Sequence, residues 1–248
     1  MVLEAAFWGL VAGVSLLIGA LLGLFVRVPV RVVGLVMGFG VGVLISAVAF
    51  ELTGAAYDRA GAWPVVLGLS AGALTFFLGD LAIDRLGAGA RKDPTGTGAG
   101  AGSSAATSLV LGAMLDGIPE SAAIGVSLIG GGSVGVAVVI AVFLSNIPES
   151  LSASVGMKRD GRSNGYILRL WTMVVAASTV AAALGYGLLG GAGDTALAFT
   201  ETFAAGAVLT MLADTMAPEA VNHAGPAVGL ACVSGFIASF LLSMAGGV

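Results

Sequence analysis

Long apolar segments, each close to twenty residues, recur along almost the whole of this 248-residue chain. A helix needs about 20 consecutive apolar residues to cross the hydrocarbon layer of a bilayer. Only 10% of the residues are charged, against roughly 25% in soluble domains. The sequence therefore predicts an all-α integral membrane protein of eight transmembrane helices, at 5–26, 32–53, 63–83, 107–129, 134–157, 166–190, 196–216 and 227–247.

The eight segments are predicted to form a single transmembrane domain that covers residues 1–248. Between the third and fourth segments, a stretch rich in Gly, Ala, Ser and Thr predicts a flexible cytoplasmic loop at about 86–106. No preceding strand and no Gly-Lys-Ser/Thr ending accompany it, which disfavours a nucleotide-binding loop. The other connections are short, so consecutive helices are expected to be antiparallel neighbours.

Basic residues are distributed unevenly between the two sides of the predicted bundle. If the N-terminus is external, only Arg59 among the ten basic residues falls outside the inward connections or their immediate neighbourhood. Cytoplasmic loops of membrane proteins carry the excess of Lys and Arg. The pattern therefore predicts a protein of the cytoplasmic (inner) membrane with both termini external.

Two internal similarities suggest a repeat. Ile118-Pro119-Glu120-Ser121 returns as Ile147-Pro148-Glu149-Ser150, and Phe39–Ala56 aligns more weakly with Phe203–Ala220 at an offset of 164 residues. In the predicted topology the matched helices run in opposite directions. The expected architecture is an inverted 3+2+3 repeat, in which helices one to three mirror six to eight around a central pair.

Carboxylates stand out inside these apolar segments. No Lys or Arg is placed deep in a predicted span to pair with them, and an ionised Asp costs roughly 2.5–3.5 kcal/mol at the centre of a membrane helix. Such groups must be protonated, hydrated or bound to a cation. Six carboxylates lie at or near membrane depth: Glu51, Asp80, Asp116, Glu120, Glu149 and Asp214.

The fourth and fifth segments concentrate oxygen donors. Asp116 and Glu120 share one helix face at i,i+4 spacing, as do Ser145 and Glu149, with Asn146 three residues before Glu149. A proline precedes each glutamate and is expected to kink its helix and free a backbone carbonyl. Facing helices of this kind predict an oxygen-rich site for a hard divalent cation.

At these residues the chain resembles the ZIP family of divalent metal transporters, as a divergent bacterial-type member. The family has eight transmembrane helices, a cytoplasmic loop between the third and fourth, and His-Asn-x-Pro-Glu-Gly-type motifs on helices four and five. Asp116–Ser121 and Ser145–Ser150 match that pattern in Pro, Glu and spacing, and Ala49-Phe50-Glu51-Leu52 is similar to the family's version on helix two.

The resemblance implies a metal site formed by Asp116, Glu120, Ser145 and Glu149, with Asn146 retained beside it. Asp116 and Ser145 replace the family's imidazole or amide ligands, and Trp171–Leu189 holds no carboxylate for a second metal. The second site is therefore expected to be weak or absent. Oxygen ligands suit Mn²⁺, Fe²⁺ or Mg²⁺ better than Zn²⁺, although the sequence does not resolve Zn, Mn, Fe, Cd and Mg as the transported ion.

The remaining acids suggest a route. The predicted topology brings Glu51 to the external side and Asp214, with Asp80, to the cytoplasmic side, and the weak repeat gives Glu51 and Asp214 nearly equivalent positions. We expect Glu51 to serve as an entrance residue, and Asp214 and Asp80 as exit residues.

Two other functions stay open: a metal-binding sensor or regulatory member that does not transport, and a proton-linked carrier of a small substrate. An intramembrane enzyme is not expected, since neither His metal ligands nor paired Asp motifs are visible. The expected partners are the divalent metal ion and the lipid bilayer, with a homodimer left open and no nucleic acid.

Overall fold

The computed structural model describes residues 1–85, 114, 117–118, 120–130 and 133–246. This part of the chain is all-α, and seven of its helices are long and apolar enough to cross a membrane, which fits a membrane-embedded protein. The predicted loop at 86–106 and much of the predicted fourth span lie outside the described residues. The helices are α1 (Val2–Phe25), α2 (Val30–Ala60), α3 (Ala62–Arg85), α4 (described over 117–118 and 120–127), α5 (Ser133–Arg159), α6 (Asn164–Leu189), α7 (Asp194–Ala224) and α8 (Ala227–Gly246).

Helices α2 and α7 are both longer than the sequence suggested. The predicted spans ended at residues 53 and 216, because the polar residues beyond them resemble loops. The helices continue instead to Gly61 and Gly225, whose φ angles of 77° and 67° lie in the left-handed region. Glycine adopts that conformation without steric cost and commonly ends a helix. The glycines, and not the polar residues, therefore set the helix ends.

The same two helices share a further local feature. Each contains a segment of wider π-helical turns, Ala47–Gly54 in α2 and Leu212–Met216 in α7. In α7, Pro218 follows this segment; because proline has no N–H to donate to the preceding turn, a change of helical pitch is expected there. An offset of 164 residues superimposes both helices, each 31 residues long, from first to last residue, along with their terminal glycines. Their π segments overlap at this offset but differ in length.

Glycines bring α2 against α8 and α3 against α7 with almost no side chain between the backbones. A Cβ atom at any of these positions would overlap a carbonyl group of the neighbouring helix. Small residues allow membrane helices to approach this closely, which strengthens their van der Waals contact. The pairs are Gly42 with Cys232, Gly235 with Phe39, Gly206 with Leu69 and Gly72 with Phe203.

The direction of α4 can be inferred from its contacts with α6. Gly117 lies against Ser178 and Gly125 lies against Ala182, so the two helices run parallel. Helix α1 is antiparallel to α6. Gly9 of α1 contacts Ala182 of α6, whereas the later Gly13 contacts Val175, which comes earlier in α6. Helix α4 therefore runs opposite to α1, which is the direction that a fourth span of an alternating bundle requires.

Candidate functional site

Glu120 is buried between four helices. Its side chain is 3% exposed and lines a cavity of about 10 Å³. A cavity of that size holds about one water molecule. The other lining residues are apolar and come from α2, α4, α5 and α7: Leu44, Ala47, Val48, Leu52, Ala123, Val138, Val142 and Val208.

The predicted ligands on α5 are also buried, but their side chains point in different directions. Ser145, Asn146 and Glu149 are 0%, 5% and 5% exposed. The hydroxyl of Ser145 donates to the carbonyl of Val142 at 3.0 Å, and the amide Nδ2 of Asn146 donates to the carbonyl of Ala12 on α1 at 3.3 Å. Both residues retain an oxygen with acceptor capacity. Helix α5 continues as one helix through Pro148.

The described acids do not assemble into one cluster. In the described ranges, no group of three or more His, Cys, Asp or Glu lies close enough together to hold a metal ion. The cavity that Glu120 lines reaches α5 at Val142, which lies seven residues, or about 10 Å of helix rise, before Glu149. Asp116 lies outside the described residues, so the full ligand set stays a prediction.

Glu51 lies in the π segment of α2 and is 7% exposed. Its neighbours Val48 and Leu52 form part of the cavity wall beside Glu120, although Glu51 is not itself among the lining residues. Wider π turns are frequent at functional sites, because they re-aim side chains that an α-helix would align differently. Glu51 is thus a buried carboxylate next to the cavity, and its role as an entrance stays a prediction.

Asp214 occupies a different environment. It is exposed and lines a groove of about 460 Å³ between α3 and α7, with Ser70 and Thr210 as the other polar residues. This groove shares no lining residue with the cavity beside Glu120. Asp80 is half-buried further along α3. The expected near-equivalence of Glu51 and Asp214 is therefore wrong for their side chains, and the exit roles of Asp214 and Asp80 stay predictions.

Glu201 is not among the six carboxylates that the sequence placed at membrane depth. It is 2% exposed in α7, and its Oε1 accepts a hydrogen bond from Nη1 of Arg59 at 2.8 Å. The expectation that no basic residue lies deep in a span to pair with the six selected carboxylates did not cover this pair, because Glu201 is not one of the six and Arg59 lies outside the predicted spans. Two signals were available: Glu201 falls inside the predicted span 196–216, and Arg59 is the one basic residue that the charge pattern left on the external side.

No family model matches this chain, and a search of curated proteins returns no match. The resemblance to the ZIP family therefore rests on the motif residues of α2, α4 and α5.

Proposed function

We propose that this chain is a divalent metal cation transporter of the ZIP type, with eight transmembrane helices in an inverted 3+2+3 arrangement. The observation that carries the proposal is the burial of Glu51, Glu120 and Glu149, each at most 7% exposed; Glu51 and Glu149 lie in helices apolar enough to cross a membrane. Burying several carboxyl groups at membrane depth is costly and is typical of ion and proton pathways. In this proposal the protein lies in the cytoplasmic membrane with both termini external.

The matched halves of the chain support the architecture. Helices α2 and α7 share length, π segment and terminal glycine at one constant offset, and their contacts with α8 and α3 use glycines at corresponding positions. Repeats of this kind place transport sites near the bilayer midplane, between the repeated units. The cavity that Glu120 lines has walls from α2 and α7, one from each half.

The ligand atoms of the proposed site indicate which class of ion it would bind. Glu120 and Glu149 supply carboxylates, Ser145 a hydroxyl and Asn146 an amide oxygen, whereas Asp116 enters on sequence grounds alone. Such a set favours hard cations such as Mn²⁺, Fe²⁺ or Mg²⁺.

Uptake into proteoliposomes with a panel of divalent ions tests the proposal. We expect Glu120→Gln and Glu149→Gln each to abolish uptake while the protein remains folded, because the amide preserves shape and removes the charge that binds the ion. Glu4→Gln removes an equal charge at an exposed position of α1 and should leave uptake unchanged. Undiminished uptake by both site variants would contradict the proposal, and binding without uptake by the wild type would favour the sensor alternative.

Selectivity gives a second test. Asp116→His restores the imidazole that the family pattern has at this position, and nitrogen ligands favour zinc. We therefore expect Zn²⁺ to compete better against Mn²⁺ uptake in the variant than in the wild type. An unchanged ratio of the two affinities would mean that residue 116 does not bind the ion.

A further inference from the structure

A buried ion pair joins the last turn of α2 to α7. Glu201 is 2% exposed and Arg59 is 19% exposed, with 2.8 Å between Nη1 and Oε1. The second carboxylate oxygen of Glu201, Oε2, is buried and has no hydrogen-bond partner among the described residues. The charge of Glu201 is therefore compensated by this one guanidinium.

Tightly packed small residues lie three positions before each member of the pair in its helix. Ala56 and Ala198 are 0% exposed and pack with Val65. Arg59 follows Glu51 by eight residues, or about 12 Å of helix rise. Side chains of a helix lean toward its N-terminus, so Arg59 leans back toward the level of Glu51. It is the basic residue of α2 nearest to Glu51, because Arg31 lies at the opposite end of the helix.

A guanidinium in this position affects any cation that approaches Glu51. Arginine stays protonated in proteins, and charges at the mouth of a pathway raise or lower the local concentration of ions. An isolated Arg59 would repel a divalent cation, and an isolated Glu201 would hold one. Paired, the two groups present almost no net charge.

We infer that Glu201 and Arg59 neutralise each other at the predicted external end of α2 and α7, so that neither charge repels or traps a divalent cation on its way to Glu51. This inference rests on the proposed function, and it adds the residues that set the charge of the entrance.

The inference is tested by measuring the kinetics of uptake into proteoliposomes at low and at high ionic strength. The ion used is the divalent cation of the panel that the wild type carries fastest. We expect Glu201→Gln to raise KM by about tenfold at low salt, because a bare guanidinium repels the cation. High salt should reduce this effect by screening the charge. Arg59→Gln should lower both KM and kcat, because the unpaired carboxylate of Glu201 then retains the ion.

The double variant Arg59→Gln/Glu201→Gln removes both charges, so the net charge of the pair is unchanged and KM should return to within about twofold of the wild type. Asp160→Asn removes an acid in the turn between α5 and α6, at the predicted opposite end of the bundle, and serves as the matched control, with KM unchanged. Should a single variant fail to fold, the double variant carries the test, and a KM tenfold from the wild type would overturn the inference.

The alternative is that the pair only fastens α2 to α7. In that case both single variants would change KM in the same direction, without dependence on salt, and this result would overturn the inference while leaving the proposed function intact. A wild type that carries none of the ions would instead overturn the proposed function, and the inference with it.

Discussion

Helices α2 and α7 have the same backbone plan but different side-chain environments. Each is 31 residues long, with a π segment at the same place and a glycine after its last residue. Yet Glu51 is buried in α2, whereas Asp214 is exposed in α7. The offset of 164 residues explains the difference, because it matches Asp214 to Phe50 and not to Glu51.

One residue along a helix is a rotation of about 100°. Phe50 is 42% exposed and its ring lies 5.3 Å from that of Phe240 on α8, so this position faces outward in both helices. The residue matched to Glu51 is Thr215, which is half-buried and donates to the carbonyl of Met211 at 2.9 Å. At this matched position, only α2 carries a buried acid.

The largest expected effect is on the free energy of unfolding, and it distinguishes the ion-paired end of α2 from its other end. We expect Arg59→Met to lower the free energy of unfolding by about 3–5 kcal/mol, because it leaves the buried carboxylate of Glu201 without its partner. Arg31→Met, at an exposed position of the same helix, should change it by less than about 0.5 kcal/mol. Unfolding in detergent measures both.

The double variant Arg59→Met/Glu201→Leu sharpens this result. Replacing a buried ion pair with apolar side chains is often neutral, so most of the lost stability should return. A double variant as unstable as Arg59→Met alone would contradict the interpretation that an unpaired charge causes the loss.

The glycine contacts should be equally sensitive in both halves. Gly42→Ala and Gly206→Ala each place a methyl group on a neighbouring carbonyl, and overpacking of this kind costs about 1–3 kcal/mol. Gly229→Ala is the matched control, because a Cβ there meets nothing within 4 Å; it should be neutral or stabilising, since alanine favours helix. A large difference between the first two variants, seen in thermal unfolding, would break the equivalence of the halves.

The two acids should differ in transport. We expect Glu51→Gln to reduce divalent cation uptake by about tenfold, equivalent to roughly 1.4 kcal/mol of barrier, because the buried acid adjoins the cavity beside Glu120. Asp214→Asn should change uptake by less than about threefold, or 0.6 kcal/mol, because its groove is separate from that cavity. If both variants lose the same fraction of uptake in the proteoliposome assay, the result would support the predicted route through Asp214.

The smallest effect is expected at the aromatic contact between α2 and α8. Phe50→Leu removes ring contacts with Phe236 and Phe240, and such pairs contribute about 0.5–1.5 kcal/mol beyond area burial. Phe25→Leu, at a position 66% exposed, is the control and should be near neutral. If both variants lose a similar amount of stability, the effect comes from general apolar contact and not from the pairing of aromatic rings.

Sequence reasoning located the helices well and their side chains less well. Apolar length identified every long span, because bilayer thickness sets that length. The burial of Glu120 and Glu149 followed from their position inside such spans. The ends of α2 and α7 were missed because residues such as Asp58 and Glu219 resemble loop residues, and nothing in the sequence revealed the π segments.

Contacts between distant segments were beyond the sequence. The pairing of Arg59 with Glu201 spans 142 residues, and local patterns give no register between helices so far apart. The direction of Asn146 toward Ala12 likewise depends on how α1 packs against α5. These details follow from the three-dimensional arrangement, which periodicity alone does not determine.

The glycine contacts also bear on how the protein is made. Helix α2 packs on α8 and helix α3 packs on α7, so each half of the chain supplies the packing surface of the other. Gly72 meets its partner only after Phe203 has been synthesised, and Gly42 only after Cys232. During synthesis, lipid therefore covers the glycine faces of α2 and α3 until α7 and α8 have been inserted. A ribosome that stalls before α7 would release a product in which the glycine faces of α2 and α3 have no partner helix, which makes such a product a substrate for membrane quality control.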